Sequence, residues 1–203
     1  KNYKDFIDKM VIQLIETNKV NIEIQKKNLL SFKNKFKIQN IKIDWCNKFS
    51  PINMEPVIII ANEFFDCLPI KQFYKKNNKW FEKMIRFNHK LKNLEFFDSE
   101  IKEKKIINKI NNYNHKNILE ISRTRENYFN KICKHINKTG GIILLIDYGY
   151  YNHPTNFTLQ SVYNNKKSHI LDNVGNQDIT SLLDFESFLN IAKLNNLQIK
   201  YFN

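Results

Sequence analysis

The sequence predicts an α/β chain built on a wound, largely parallel sheet, and three observations predict it. Short apolar runs alternate along the chain with stretches of helical spacing. The runs "VIII" and "IILLI" are rich in branched residues without alternation, as in strands covered on both faces. Each run then stops on a polar residue, and in open α/β sheets ligands bind beyond the carboxyl ends of the strands.

The elements follow in order. "MVIQLIE", Met10 to Glu16, reads as a strand ending on an acid. In "TNKVNIEIQKKNLLSFKNKF", Ile22, Gln25, Leu29, Phe32 and Phe36 recur at near-helical spacing, with Thr17 or Asn18 available as N-cap. "IKIDW" is a second short strand, ending at Asp44 and Trp45, and a loop containing Pro51 follows. Pro56 opens a third strand in "PVIIIANEFFDCLPI". Past Pro69, "IKQFYKKNNKWFEKMIRF" holds two strand-like runs around Asn77-Asn78, a hairpin turn because Asn tolerates positive φ; Phe73, Tyr74, Trp80 and Phe81 read as packing residues. Residues 88–116 are polar and lysine-rich, with a helix expected from Ser99 to Asn111, so that 70–116 reads as an antiparallel hairpin and helix module inserted into one domain spanning 1–203. "NILEIS" is a short strand. The helix after it carries Phe129, Ile132, Cys133 and Ile136 on one side and is ended by Gly140-Gly141. "IILLIDYGY" is another buried strand, ending at Asp147. A last helix, capped by Asp184, places Phe185, Phe188, Leu189 and Ala192 on one face.

Composition narrows the classes. A chain of 203 residues with 42% hydrophobic and 13% aromatic residues can bury a real core and is not mostly disordered. No stretch reaches the length of a membrane span, and "KNYKDFIDKM" lacks the order of a signal peptide. Cys46, Cys67 and Cys133 are too scattered for a disulfide framework or a CxxC zinc site, and His89, His115, His153 and His169 show no HExxH-like spacing, so no metal is expected. The net charge of +13 raises the question of nucleic acid. Yet the basic residues are spread along the chain, and only Arg86, Arg123 and Arg125 are arginine. A solvated lysine surface is the simpler reading.

Four strand ends carry polar residues on what would be one edge of the sheet: Glu16, Asp44 with Trp45, Asn62 with Glu63, and Asp147 with Tyr148. An acid at the end of an early strand in a nucleotide-binding sheet accepts both hydroxyls of a ribose, since a carboxylate offers acceptors only and a vicinal diol two donors; Glu16 is placed for this. Its other reading is a helix-start charge beside the macrodipole. Asp44 could accept from an exocyclic adenine amine while Trp45 stacks or packs. The glycines Gly140, Gly141, Gly149 and Gly175 all lie in the C-terminal third, so a dinucleotide fingerprint is unsupported, and neither a GxSxG elbow nor a P-loop is present.

Taken together, "ANEFFDCLPIKQF", "KWFEKMI", "GGIILLIDYG", "TLQSV" and "DITSLLDF" resemble, in this order and at similar separations, the MidA-like family of S-adenosylmethionine-dependent methyltransferases, which includes mitochondrial assembly factors of respiratory complex I. The likeness runs from about Leu14 to about Ala192. It implies a Rossmann-like class I methyltransferase sheet, partial here: the first strand and the family's glycine-rich loop would lie N-terminal of Lys1. It implies S-adenosyl-L-methionine as cofactor, bound by Glu16, Asp44, Trp45 and Asn62, and a protein arginine as acceptor, such as one on a complex I subunit. Glu63 and Asp66 would be catalytic, Asp147 and Tyr148 would form the substrate wall, and Phe64 and Phe65 would pack. Where relatives carry a His in the late motif, this sequence has Leu182 and Leu183. Two other readings stand beside this one: a non-catalytic assembly or chaperone protein on the same fold, and an RNA methyltransferase. A bacterial cytoplasmic protein is expected, or a mitochondrial matrix protein if the source is eukaryotic.

Overall fold

The computed structural model describes residues 10–36, 41–50, 54–111, 117–152 and 154–202; Pro51, His115 and His153 lie outside them. The chain divides into two compact units, Lys1–Met54 and Glu55–Asn203.

In the first unit, β1 (Val11–Ile15) and β2 (Lys42–Cys46) pair in parallel, with Leu14 opposite Trp45. Parallel strands need a crossover, and α1 (Lys19–Phe36) lies between them in the chain. Asn18 caps α1, its Oδ1 accepting the Val20 N–H at 2.9 Å.

In the second unit, β3 (Val57–Asn62) pairs in parallel with β8 (Gly141–Ile146), in register from Val57 opposite Gly141 to Asn62 opposite Ile146. A β-carbon on Gly141 would lie 2.2 Å from the Val57 carbonyl oxygen, and its φ is +132°. Only glycine lets the two backbones approach this closely there. The expectation that both faces of this sheet are covered holds for one face only. Ile58, Ile60, Ile142, Leu144 and Ile146 alternate onto one side and are exposed. The other side is the covered one, and α3 (Arg123–Thr139) packs against β8.

Ser122 and Asp184 cap α3 and α4 (Phe185–Leu194) through their side chains. Phe129, Ile132, Cys133 and Ile136 of α3 are buried, as are Phe188 and Ala192 of α4. Phe65, 0% exposed, meets the Phe188 ring edge-on at 5.1 Å and Phe129 at 6.1 Å. The loop after β3 is thereby anchored in this core.

A second sheet is antiparallel, in the order β6 (Asn93–Glu100), β5 (Lys79–Asn88), β4 (Lys71–Lys76), β7 (Ile118–Ile121). Asn77 and Asn78 turn the β4–β5 hairpin at φ 49° and 59°. Phe73, Trp80 and Leu119 form its core with Ile110 of α2 (Lys104–Asn111), and the Trp80 indole donates to Asn111 Oδ1 at 3.0 Å. One sequence expectation shifts here. The helix expected from Ser99 begins at Lys104, because "NLEFFDSE" pairs with β5 along its whole length, Phe96 opposite Ile85 and Leu94 opposite Phe87. The "NILEIS" strand joins the same sheet through β4.

The remaining strands are short. β9 (Gly149–Tyr150) pairs in parallel with β13 (Leu183–Asp184), while β10 (Gln160–Tyr163) lies between β11 (Lys166–Ser168) and β12 (Asp178–Thr180). Among the described residues, no helix is long and apolar enough to cross a membrane.

The close approach at Gly141 yields a test. Gly141→Ala should lower unfolding free energy by about 2–4 kcal/mol, the range for a backbone clash at a special φ, read as a lower urea midpoint. A midpoint equal to that of the parent would show that the strands can part without cost.

Candidate functional site

The β3–β8 register sets Glu63 directly after Asn62 and Asp147 directly after Ile146, side by side at the carboxyl ends. The Glu63 N–H donates to the Ile146 carbonyl at 2.8 Å. Glu63 has φ +46°, whereas the other non-glycine residues at positive φ among those described are Asn77, Asn78, Lys92, Asn164, Asn165, Asn173 and Asn196. Asn tolerates that conformation; for glutamate it costs about 1–2 kcal/mol and persists only where the surroundings hold it. The Glu63 side chain remains exposed.

The surroundings do hold it. Asp147 Oδ2 accepts the Phe65 N–H at 3.1 Å, and its Oδ1 accepts the Tyr148 N–H at 2.9 Å. The Asp66 carbonyl accepts from the Ser181 N–H at 3.1 Å and from Arg125 Nη2. Ser122 Oγ donates to the Pro69 carbonyl at 2.6 Å. Asn62, Glu63, Asp66, Asp147 and Tyr148 are thus brought together on one braced loop and its neighbouring strand end. Tyr148 is 63% exposed, Asp66 only 7%. Asp147 spends both carboxylate oxygens on backbone amides, so its observed work is to shape the loop.

Sequence reasoning missed three residues here. Arg125, 4% exposed, places Nη2 within 2.7 Å of Ser181 Oγ and 3.2 Å of the Ser181 carbonyl, and Nη1 donates to the Leu182 carbonyl at 3.0 Å. Glu120 accepts from Gln72 Nε2 at 2.7 Å and from both the N–H and the hydroxyl of Thr158, tying the antiparallel sheet to "TLQSV". Ser181, in "DITSLLDF", is the third. Of the late-motif leucines, Leu183 is fully buried and Leu182 offers only backbone groups to this network: its N–H donates to Thr158 Oγ1 at 3.0 Å. For Arg125 a signal existed: residues 125, 129, 132 and 136 share one helical stripe, so it extends the buried face of α3.

The site is acidic within a basic chain. Burial chiefly, then repulsion from Asp147, Asp178 and Glu63, pushes the Asp66 carboxyl above its ordinary range, while the Cys67 N–H counteracts. Burial likewise raises Asp147, opposed by the Phe65, Tyr148 and Asp66 amides and by Arg125. Burial lowers Arg125, while Asp147 and Asp66 hold its charge in place. A carboxyl raised toward neutrality beside an exposed carboxylate can bind a cation and accept a proton from it.

In the first unit, the Glu16 N–H donates to the Cys46 carbonyl at 3.1 Å, so Glu16 sits beside the end of β2. Its Oε1 accepts the Thr17 and Asn18 N–H groups, each at 2.8 Å, while among the described residues Oε2 has only the Asn21 side-chain amide, at 3.4 Å. The helix-start reading is met by one oxygen; the other keeps acceptor capacity suited to a ribose hydroxyl. Asp44 lies 3.4 Å from Lys42 Nζ. Trp45, on the opposite face by strand alternation, donates its indole N–H to Gln25 at 2.9 Å and has the Lys26 ammonium over its ring. Among the described residues, no group of three or more His, Cys, Asp or Glu is arranged to hold a metal ion.

The sequence family described as "Putative S-adenosyl-L-methionine-dependent methyltransferase" matches residues 1–203. The chain is 28% identical over 204 residues to the "Protein arginine methyltransferase NDUFAF7 homolog, mitochondrial" of Caenorhabditis elegans, covering 93% of this chain and 48% of that protein. It is 24% identical over 156 residues to the NDUFAF7 protein of Danio rerio, covering 75% and 36% respectively. The chain thus spans about half, or less, of the relatives it matches. A crystal structure of a "likely methyl transferase" from Burkholderia thailandensis bound to S-adenosyl-homocysteine superposes with a TM-score of 0.71 at 15% identity, over 93% of this chain and 48% of that one. At that identity the likeness shows the fold, and the mixed α/β arrangement is that of a class I methyltransferase.

The raised Asp66 carboxyl has a consequence for stability. Folding disfavours its ionised form, so its contribution is fully present below about pH 3.8, its ordinary value, and is lost as pH rises through the higher folded value. Asp66→Asn, which cannot ionise, should therefore be more stable than the parent at pH 7, with the difference shrinking toward pH 4 in denaturant titrations. A variant less stable at pH 7 would contradict this assignment.

Proposed function

Because the chain belongs to the family described as putative S-adenosyl-L-methionine-dependent methyltransferases, we propose that the intact protein transfers a methyl group from S-adenosyl-L-methionine to an arginine of a protein acceptor. The observation that carries this reading is Glu63: an exposed carboxylate, held at φ +46° on a braced loop, beside the raised carboxyl of Asp66. The names of the relatives, protein arginine methyltransferases, support the acceptor class, and a respiratory complex I subunit is the acceptor we infer. A mitochondrial location fits a eukaryotic source, and the bacterial cytoplasm a bacterial one.

When bound, the cofactor supplies an electrophilic methyl on a sulfonium. In the first unit, Glu16 would hold its ribose through Oε2, with Asp44 and Trp45 serving the adenine edge; in the second, Asn62 would orient the acceptor through its amide. A guanidinium stays protonated at any working pH, so the protein cannot deprotonate it beforehand. Glu63 would pair with it through charge-assisted hydrogen bonds and aim one nitrogen. Asp66 would take the proton as the new N–C bond forms and the methyl–sulfur bond breaks to leave a neutral thioether, its raised affinity for protons suiting it to that step. Tyr148 and Asp147 would bound the acceptor side. Alignment of nucleophile and methyl is most of the catalysis in such a displacement, and a loop fixed in advance provides it.

Two substitutions separate binding from chemistry in the intact protein. Glu63→Gln should lower methyl transfer about 100-fold or more while cofactor affinity stays within about twofold. Glu16→Gln should weaken S-adenosyl-L-methionine binding about 10-fold or more by isothermal titration, the loss expected for a charge-assisted hydrogen bond. Full turnover in the first variant, or unchanged affinity in the second, would remove that residue from its role.

A further inference from the structure

We propose that Arg125 is a positioning residue of the acidic loop, acting from behind it: its guanidinium fixes the backbone that presents Glu63 and Asp66, and its charge offsets part of the acidic repulsion around Asp147. This rests on the methyltransferase reading above and adds a residue that never meets the substrate. Arg125 is 4% exposed, makes no ion pair shorter than 4 Å among the described residues, and leaves Nε buried without a hydrogen-bond partner among them. A cation buried on such terms is poor stabilisation, since desolvation is large and one donor goes unmet. An apolar side chain would serve packing better.

What the guanidinium does accomplish is specific. Its planar fork reaches the Asp66 carbonyl, the Ser181 carbonyl and hydroxyl and the Leu182 carbonyl, while the Arg125 backbone N–H is received by Ser122 Oγ at 3.2 Å, the hydroxyl that also holds Pro69. Two segments distant in sequence, the 63–70 loop and the 181–182 stretch, are joined by this one side chain to the start of α3, which bears it. A lysine could keep the charge but could not reach these acceptors in one plane. The charge matters separately. The Asp66 and Asp147 carboxyls face Glu63 and Cys67 on the loop, Asp178 on β12 and Arg125 on α3, and Arg125 is the cation in that group.

Two variants of the intact protein divide fork from charge. Arg125→Lys should fold, keep cofactor affinity within about twofold and lose about 10- to 100-fold in kcat, the effect of a slightly misplaced loop, with the acid limb of the kcat–pH profile in place. Arg125→Met should lose at least as much and also shift that limb upward, because a departing positive charge favours the protonated carboxyl. Carbon-13 titration of the aspartate carboxyls gives a readout free of turnover: Asp147 should titrate higher in Arg125→Met than in the parent. Should Arg125→Met fail to fold, Arg125→Lys and Ser181→Ala, which removes one acceptor, carry the test through kcat against cofactor affinity. Parent-like kcat in folded Arg125→Lys, or unmoved carboxyls in folded Arg125→Met, would overturn the proposal while leaving the enzyme reading intact. A parent that neither binds the cofactor nor transfers methyl would sink the enzyme reading instead, with the carboxyl titration still judging Arg125.

Discussion

The parallel pairing of β3 with β8 is the constraint on which the rest of the second unit depends. It requires backbones to touch at Gly141, and once Val57 lies opposite Gly141 the register delivers Asn62 opposite Ile146. Glu63 and Asp147 must then emerge together, since parallel strands end side by side. A slip of one residue would turn Asp147 to the other face and break its hold on the Phe65 amide.

From that pairing follows a division of labour among carboxylates of the same chemistry. Asp147 is consumed by backbone amides and shapes the loop. Glu63 is left exposed in a conformation it would not choose alone. Asp66 is buried among like charges and holds its proton more readily than usual. Environment, not residue type, separates the three roles. The loop bearing them is tied down at both ends: Phe65 lies in the core between α3 and α4, and Ser122 and Ser181 hold the carbonyls of Pro69 and Asp66. Little reorganisation remains for the moment of reaction, which is where preorganised charge gains its advantage over water.

Much of this was legible in the sequence, and the reasons for what was not are physical. β3 and β8 announced themselves as strands because short runs of branched residues bounded by Pro56 and Gly140-Gly141 favour that conformation, although only one face of them is covered. The caps Asn18 and Asp184 and the Asn77-Asn78 turn were legible because their signals are local. β6 was not, because Asn93, Glu95 and Asp98 dilute its apolar residues and its pairing with β5 depends on residues across a turn. Arg125, Glu120 and Ser181 escaped for a stronger reason. Their side-chain partners lie 38 to 59 residues away, and nothing near a polar side chain in sequence tells which distant group it will meet. The segments carrying the family likeness nevertheless converge: "ANEFFD" meets "DITSLLDF" through Asp66 and Ser181, and "TLQSV" meets the latter where the Leu182 N–H finds Thr158.

The most direct measurement is a crystal structure of the intact protein with S-adenosyl-homocysteine and an arginine-containing acceptor peptide. The peptide guanidinium should lie within hydrogen-bond distance of both the Glu63 and Asp66 carboxylates, with the 63–70 loop unmoved from the conformation it has here. A guanidinium bound elsewhere, or a Glu63 carboxylate turned away to a lysine of its own chain, would contradict that placement.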